Sequence, residues 1–218
     1  MTSKEEIIHV VDYDCGNLGS IVNMFRRIGV PAKLTRDPKD IETANKIILP
    51  GVGAFDQCIK NLEHYGFKDV LNQRVLEDRV PILGVCVGFQ LMSKSSEEGV
   101  LEGLGWIKAH TKDMRKLVDP TENAKFPHIG WNFFDRTKDH VLFKNMPNDD
   151  PRFYFVHTYH VVCDDAATDM LATTSYKGLQ VTAAAGSKNI IGMQCHPEKS
   201  HKYGMQLFKN FAKWEPEL

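Results

Sequence analysis

Short apolar runs at residues 7–11, 46–49 and 81–85 alternate with segments at 18–28 and 55–76 in which apolar residues recur at helical spacing. Runs with so little polar alternation cannot leave one face in water, so they fit the inside of a parallel sheet covered on both sides, with the intervening segments as crossover helices. This order predicts an α/β fold, a three-layer sandwich around a mostly parallel central sheet, with ligands bound beyond the carboxyl ends of the strands. The loops at 50–54 and 86–90 then share one edge. Runs at 153–162, 171–175 and 190–194 are richer in aromatic and β-branched residues, which predicts a smaller antiparallel portion. Residues 204–214 read as a closing helix and the polar stretch 108–125 as a mobile loop. No repeat or Pro/Gly/Ser linker divides the 218 residues, so 1–218 is expected to form a single domain.

Charge narrows the partners. Lys and Arg total 27 against 28 for Asp and Glu, a net charge of -1, which leaves no basic field to hold nucleic acid or an anionic membrane. The start, Met1 to Glu6, lacks the long apolar core of a signal peptide or a span, so a cytoplasmic location is expected. Five cysteines (Cys15, Cys58, Cys86, Cys163, Cys195) are scattered without CxxC spacing, and most are expected as free thiols.

One of them stands in a distinctive setting. Gly84-Val85-Cys86-Val87-Gly88 runs from an apolar strand straight into a helix, a G-x-C-x-G arrangement that with serine forms a nucleophile elbow. Small neighbours permit the sharp turn, and N–H groups at the helix start favour a thiolate and can hold an oxyanion. A small buried residue between glycines kept for close packing fits the same pattern, and both readings stay open on this motif alone.

A thiol nucleophile needs a base. Among nine histidines, His196 ends the run 190–195 and precedes Pro197 and Glu198, a carboxylate two residues on. In extended chain such residues share a face, so Glu198 can orient one ring nitrogen while the other faces Cys86. A surface turn with an incidental carboxylate is the competing reading. Cys195 is adjacent to His196, but pleating sends it to the opposite face, toward the core. Cys15 lies in a Gly-containing turn with no His and carboxylate pair nearby. His157 and His160, three apart on one expected strand, point to opposite faces, so no metal site is expected there.

Gly84 to Gln90 together with Gln194-Cys195-His196-Pro197-Glu198-Lys199-Ser200 resembles the class I (triad) glutamine amidotransferases, whose fold is flavodoxin-like. Asp12-Tyr13 with Gly16-Asn17-Leu18, Leu49 to Phe55, Pro127 to Asn132 and Phe153 to Tyr159 follow in an order similar to the glutaminase-subunit family of imidazole glycerol phosphate synthases. The resemblance covers nearly the whole chain. It implies a Cys86, His196, Glu198 triad acting on L-glutamine, without metal or other cofactor. It further implies an oxyanion strand at Gly51, Val52 and Gly53 working with the amide of Val87. Gln90, Glu98, Thr158 and Tyr159 would grip the substrate, with Glu97 an alternative to Glu98. The implied partner is a (β/α)8 barrel synthase subunit forming a heterodimer, faced by Asn17, Trp131, Tyr154 and Lys199.

Asp14 stands where that family usually has a small residue, and Phe89 and Cys195 replace a common Met and Phe. Residues 161–165 and 201–205 are closer to a branch that supplies ammonia for amidinating a sugar in bacterial surface-polysaccharide synthesis. A non-catalytic binding module on the same sheet is the alternative of another class, and a triad hydrolase of a different amide is a third.

Overall fold

The computed structural model describes residues 7–147 and 150–216; the polar start at residues 1–6, which carries the expectation of a cytoplasmic location, lies outside them. In chain order the strands are β1 (Ile8–Val11), β2 (Ala32–Thr35), β3 (Lys46–Gly51), β4 (Ile82–Cys86), β5 (Ala109–Asp113), β6 (His128–Phe133), β7 (Asp135–Arg136), β8 (Arg152–His157), β9 (Tyr159–Cys163), β10 (Met170–Tyr176), β11 (Leu179–Ser187) and β12 (Ile190–Met193). The helices are α1 (Leu18–Arg27), α2 (Pro38–Ile41), α3 (Phe55–His64), α4 (Phe67–Asn72), α5 (Val87–Leu91), α6 (Ala166–Asp169) and α7 (His201–Lys213).

The main sheet runs β2-β1-β3-β4-β12-β11-β10-β7. Its first five strands are parallel, and β11, β10 and β7 extend it antiparallel. Every residue of β1, β3, β4 and β12 is buried, as strands need to be when helices cover both faces. Helix α1 packs on α7, while α2, α3, α4 and α5 pack among themselves and α5 lies directly on β3, β4 and β12. The result is the expected three-layer α/β arrangement.

Three local readings change. The polar stretch 108–125 holds β5, paired antiparallel with β9, with Ala109, Thr111 and Asp113 buried in alternation. Four of its five residues are polar, so composition reads as loop, and the period-2 burial is hidden because polar residues also fill the inner face. The single run at 153–162 is two strands broken at Thr158: β8 pairs with β6 and β9 with β5, in separate two-stranded sheets. The long helical segment at 55–76 breaks at Tyr65 and Gly66, where Gly66 takes φ 73, and ends in a π-helical turn at Gln73–Glu77.

Among the described residues no helix is long and apolar enough to cross a membrane.

Candidate active site

The carboxyl ends of β3, β4 and β12 meet at one edge. Gly51 is in register with Cys86, and Met193 with Val85, so the loop after β3, the elbow after β4 and the segment after β12 are neighbours. Cys86 has φ 54 and ψ -110. That is a costly conformation for a residue with a Cβ, about 1–3 kcal/mol, and it turns the chain from strand into helix within one residue. A Cβ on Gly51 would stand 2.3 Å from the backbone N of Gly88, and one on Gly88 2.0 Å from the carbonyl of Leu49. Glycine at both positions lets the β3 end lie flat on the first turn of α5, beside the amide of Val87. Val52, beyond that contact, is exposed.

His196 and Glu198 are both buried, and Nδ1 of the ring lies 2.8 Å from Glu198 Oε1. A carboxylate only accepts, so Nδ1 carries the proton and Nε2 is left for the sulfur. The contact is not made along extended chain as the residue spacing suggested. Pro197–Lys199 is a 3-10 turn that folds the carboxylate back beneath the ring. The backbone pins this turn: His196 N donates to the carbonyl of Tyr154 at 2.8 Å, Ser200 Oγ donates to the carbonyl of His196 at 2.6 Å, and Tyr154 N donates to Ser200 Oγ at 3.0 Å. Burial lowers the pKa of His196, but the neighbouring Cys86, then Glu198, push it up to about 10. Nε2 has no hydrogen bond of ordinary geometry, so the sulfur contact is loose, as catalytic contacts often are before substrate arrives.

Gln90 is buried on α5, and its Nε2 donates to the carbonyl of Tyr159 at 3.0 Å and to Gln194 Oε1 at 3.2 Å. Gln194 Nε2 in turn reaches the Cys86 sulfur at 3.8 Å. Glu98 and Glu97 part company. Glu98 Oε2 accepts from the amide of Phe55 at 3.0 Å, next to the loop after β3, and burial raises its pKa. Glu97 accepts from the amide of Asp113 and lies 3.5 Å from both Lys112 and Lys116, away from that loop. Thr158 sits at the break between β8 and β9, its carbonyl taken by the amide of Met114.

Cys195 is wholly buried and burial pushes its thiol well up, so it is no rival nucleophile. His157 meets His128, Nδ1 of His128 lying 3.1 Å from Nε2 of His157, and His160 belongs to the other small sheet. Among the described residues no group of three or more His, Cys, Asp or Glu is placed to hold a metal ion.

Trp131 and Tyr154 are cross-strand partners on β6 and β8. Trp131 stacks on His201 at 5.4 Å, and Lys199 Nζ lies 5.7 Å over the Tyr154 ring. Ile129, Trp131 and Phe133, at alternate positions of β6, are 59%, 45% and 43% exposed and form one outward apolar face. Asn17 begins α1, which touches the turn at Pro197–Lys199.

Residues 9–214 match the glutamine amidotransferase class-I family. The chain belongs to that family. As a class I glutamine amidotransferase it is 45% identical, over 95% of its own length and 99% of the relative, to imidazole glycerol phosphate synthase subunit HisH 2 of Methanococcus maripaludis. It is likewise 45% identical, over 94% and 98%, to the HisH 2 subunit of Pseudomonas aeruginosa. Its fold is shared with solved structures of low sequence identity. The glutaminase domain of Trypanosoma brucei CTPS with bound acivicin superposes with TM-score 0.64 at 16% identity, over 97% of this chain and 95% of that one. PurLQS of Thermotoga maritima gives 0.69 at 16% identity, over 96% and 98%. Within this amidotransferase the residues missed by sequence reading are Gln194, Ser200, Ile129 and Phe133. Alternation from Trp131 was the signal available for the last two.

Proposed function

We propose that the chain is the glutaminase subunit of an imidazole glycerol phosphate synthase, hydrolysing glutamine in the cytoplasm and passing ammonia to a (β/α)8 barrel subunit in a heterodimer. The observation that carries the chemistry is the buried 2.8 Å contact of His196 with Glu198, set against a cysteine in a strained elbow. The Cys86 thiolate attacks the carboxamide carbon of glutamine, and the developing oxyanion is held by backbone amides at Gly51, Val52, Gly53 and Val87. The imidazolium of His196 gives its Nε2 proton to the departing nitrogen, ammonia leaves, and a thioester remains. His196, now neutral, takes a proton from water, whose oxygen attacks the thioester; collapse expels the Cys86 thiolate, and the glutamic acid formed loses its proton to solvent, leaving glutamate and the starting thiolate and imidazolium. Glu198 keeps Nδ1 protonated throughout.

Gln90, Glu98 and the backbone at Thr158 and Tyr159 grip the substrate. Ammonia released into water at neutral pH becomes ammonium and loses its nucleophilicity, which requires a shielded route into the partner. The exposed face of β6, with Tyr154, Lys199 and Asn17, is the surface offered to it. Relatives matched over nearly their full length support the identity of that partner.

The test uses Cys86→Ala with the barrel subunit present. Glutamine-dependent product formation disappears while formation from ammonium salts persists. Glutamate release that survives the substitution removes the proposal.

A further inference from the structure

Gln194 follows β12 and is wholly buried. Its two amide atoms are assigned by their neighbours. The carbonyl of Tyr159 only accepts, so the Gln90 atom 3.0 Å from it is the NH2 group, and the second proton of that group goes to Gln194 Oε1 at 3.2 Å. With its oxygen held, Gln194 must turn its own NH2 toward the Cys86 sulfur, 3.8 Å away.

An N–H aimed at sulfur favours thiolate over thiol. The other groups around the sulfur act differently. From β8 the carbonyl of Val156, at 3.9 Å, accepts from the thiol and favours the protonated form. From the segment after β12 come the His196 ring with Glu198 behind it, and the Cys195 thiol. His157 on β8 bears on the His196 ring, and Tyr13, beyond β1, is a buried phenol. Gln194 therefore supplies the sulfur with an uncharged donor whose direction is fixed by a second side chain.

We infer that Gln194 is a positioning residue of the glutaminase reaction: its amide, oriented by Gln90, donates to the Cys86 sulfur, stabilising and aiming the thiolate. The inference rests on Cys86 as the nucleophile and goes beyond the triad. It also links the nucleophile by one side chain to Gln90, the residue assigned to the substrate, so displacement of Gln90 is felt at the sulfur.

The experiment follows alkylation of Cys86 by iodoacetamide against pH, with peptide mapping to separate it from the other four cysteines, in wild type, Gln194→Met and Gln194→Glu. Gln194→Met removes the donor at similar bulk and reads the hydrogen bond itself; Gln194→Glu keeps an acceptor for Gln90 but replaces the donor by a carboxylate, whose charge adds to the same upward shift. The half-maximal pH moves upward in both, and below the wild-type midpoint the rate falls about three- to tenfold. Glutamine turnover with the barrel subunit shows a lowered kcat that recovers as pH rises, which a packing defect would not do. An unchanged midpoint in Gln194→Met overturns the inference. Should either variant fail to fold, the side-chain amide resonance of Gln194 in wild type moves with the Cys86 titration and stops moving in Cys86→Ala; a resonance indifferent to that titration overturns it equally. Cys86→Ala turnover tests the nucleophile itself, so the two claims fail separately.

Discussion

His196 is buried yet pushed up to about 10, because Cys86 on one side and a carboxylate on the other outweigh the cost of burying its charge. Removing the carboxylate should therefore change the protonation and aim of the ring while leaving the fold. Glu198→Gln, measured by glutamine turnover with the partner present, is expected to lower kcat by roughly 10²-fold or more. His160 is the opposite case. Both its ring nitrogens are buried without a hydrogen-bond partner, and burial alone drops its pKa to about 4. An apolar side chain of similar size removes an unsatisfied polar group, so His160→Leu should be neutral to stabilising by up to about 1 kcal/mol in urea unfolding at neutral pH.

Elements, and not single side chains, set the distance between the loop after β3 and Cys86. The β3 end rests on α5 with no space for a Cβ at Gly51 or Gly88. Gly51→Ala has to push the loop off the helix, and about 1–3 kcal/mol of stability should be lost by denaturant titration, with glutaminase activity falling further than stability does. On the far side of the small β6–β8 sheet the logic reverses. Trp131 is half exposed, so Trp131→Ala should leave the melting temperature nearly unchanged and weaken association with the barrel subunit at least about tenfold by calorimetry. The element boundaries followed local chemistry where the hydrophobic pattern was strong: β1, β3, β4 and α1 lie where their apolar runs predicted, whereas β2, a half-exposed edge strand, matched no run, and β12, read among the runs of the antiparallel portion, pairs parallel with β4. They diverged at 108–125 and at Thr158, where pairing with a distant partner, β9 or β6, decides whether a polar or a continuous run becomes one strand, two or none.

At the scale of the whole molecule, acid is the condition to which the fold is most exposed. His128 and His160 are buried neutral with pKa values near 4, and His157 lies well below its ordinary value, all chiefly through burial. Unfolded, each titrates near 6.5. Because the folded values are depressed, the unfolded chain binds more protons below that point, so stability is fully present above about pH 6.5 and is lost as pH falls toward 4. The loss is at most about 3 kcal/mol for each of His128 and His160 at the acid end. Thermal melts from pH 8 to 4 should show this decline, and a melting temperature flat across that window would contradict it.

The alternation of apolar runs with helical segments determined the α/β class, because a strand buried on both faces and a helix buried on one impose different periods on the chain itself. G-x-C-x-G and His-Pro-Glu likewise marked Cys86, His196 and Glu198 locally as candidates, with a packing reading of the first and a surface-turn reading of the second left open beside the chemical one. Tertiary structure alone decided that β4 and β12 lie side by side, bringing Cys86 within reach of residues more than a hundred positions later. From that pairing come the Gln194 contact and the 3-10 turn beneath His196, and from the loop that carries Glu98 back to Phe55 comes its separation from Glu97. Such contacts depend on strand register and on which backbone groups are left to bond across the edge, and those are fixed when the whole sheet assembles.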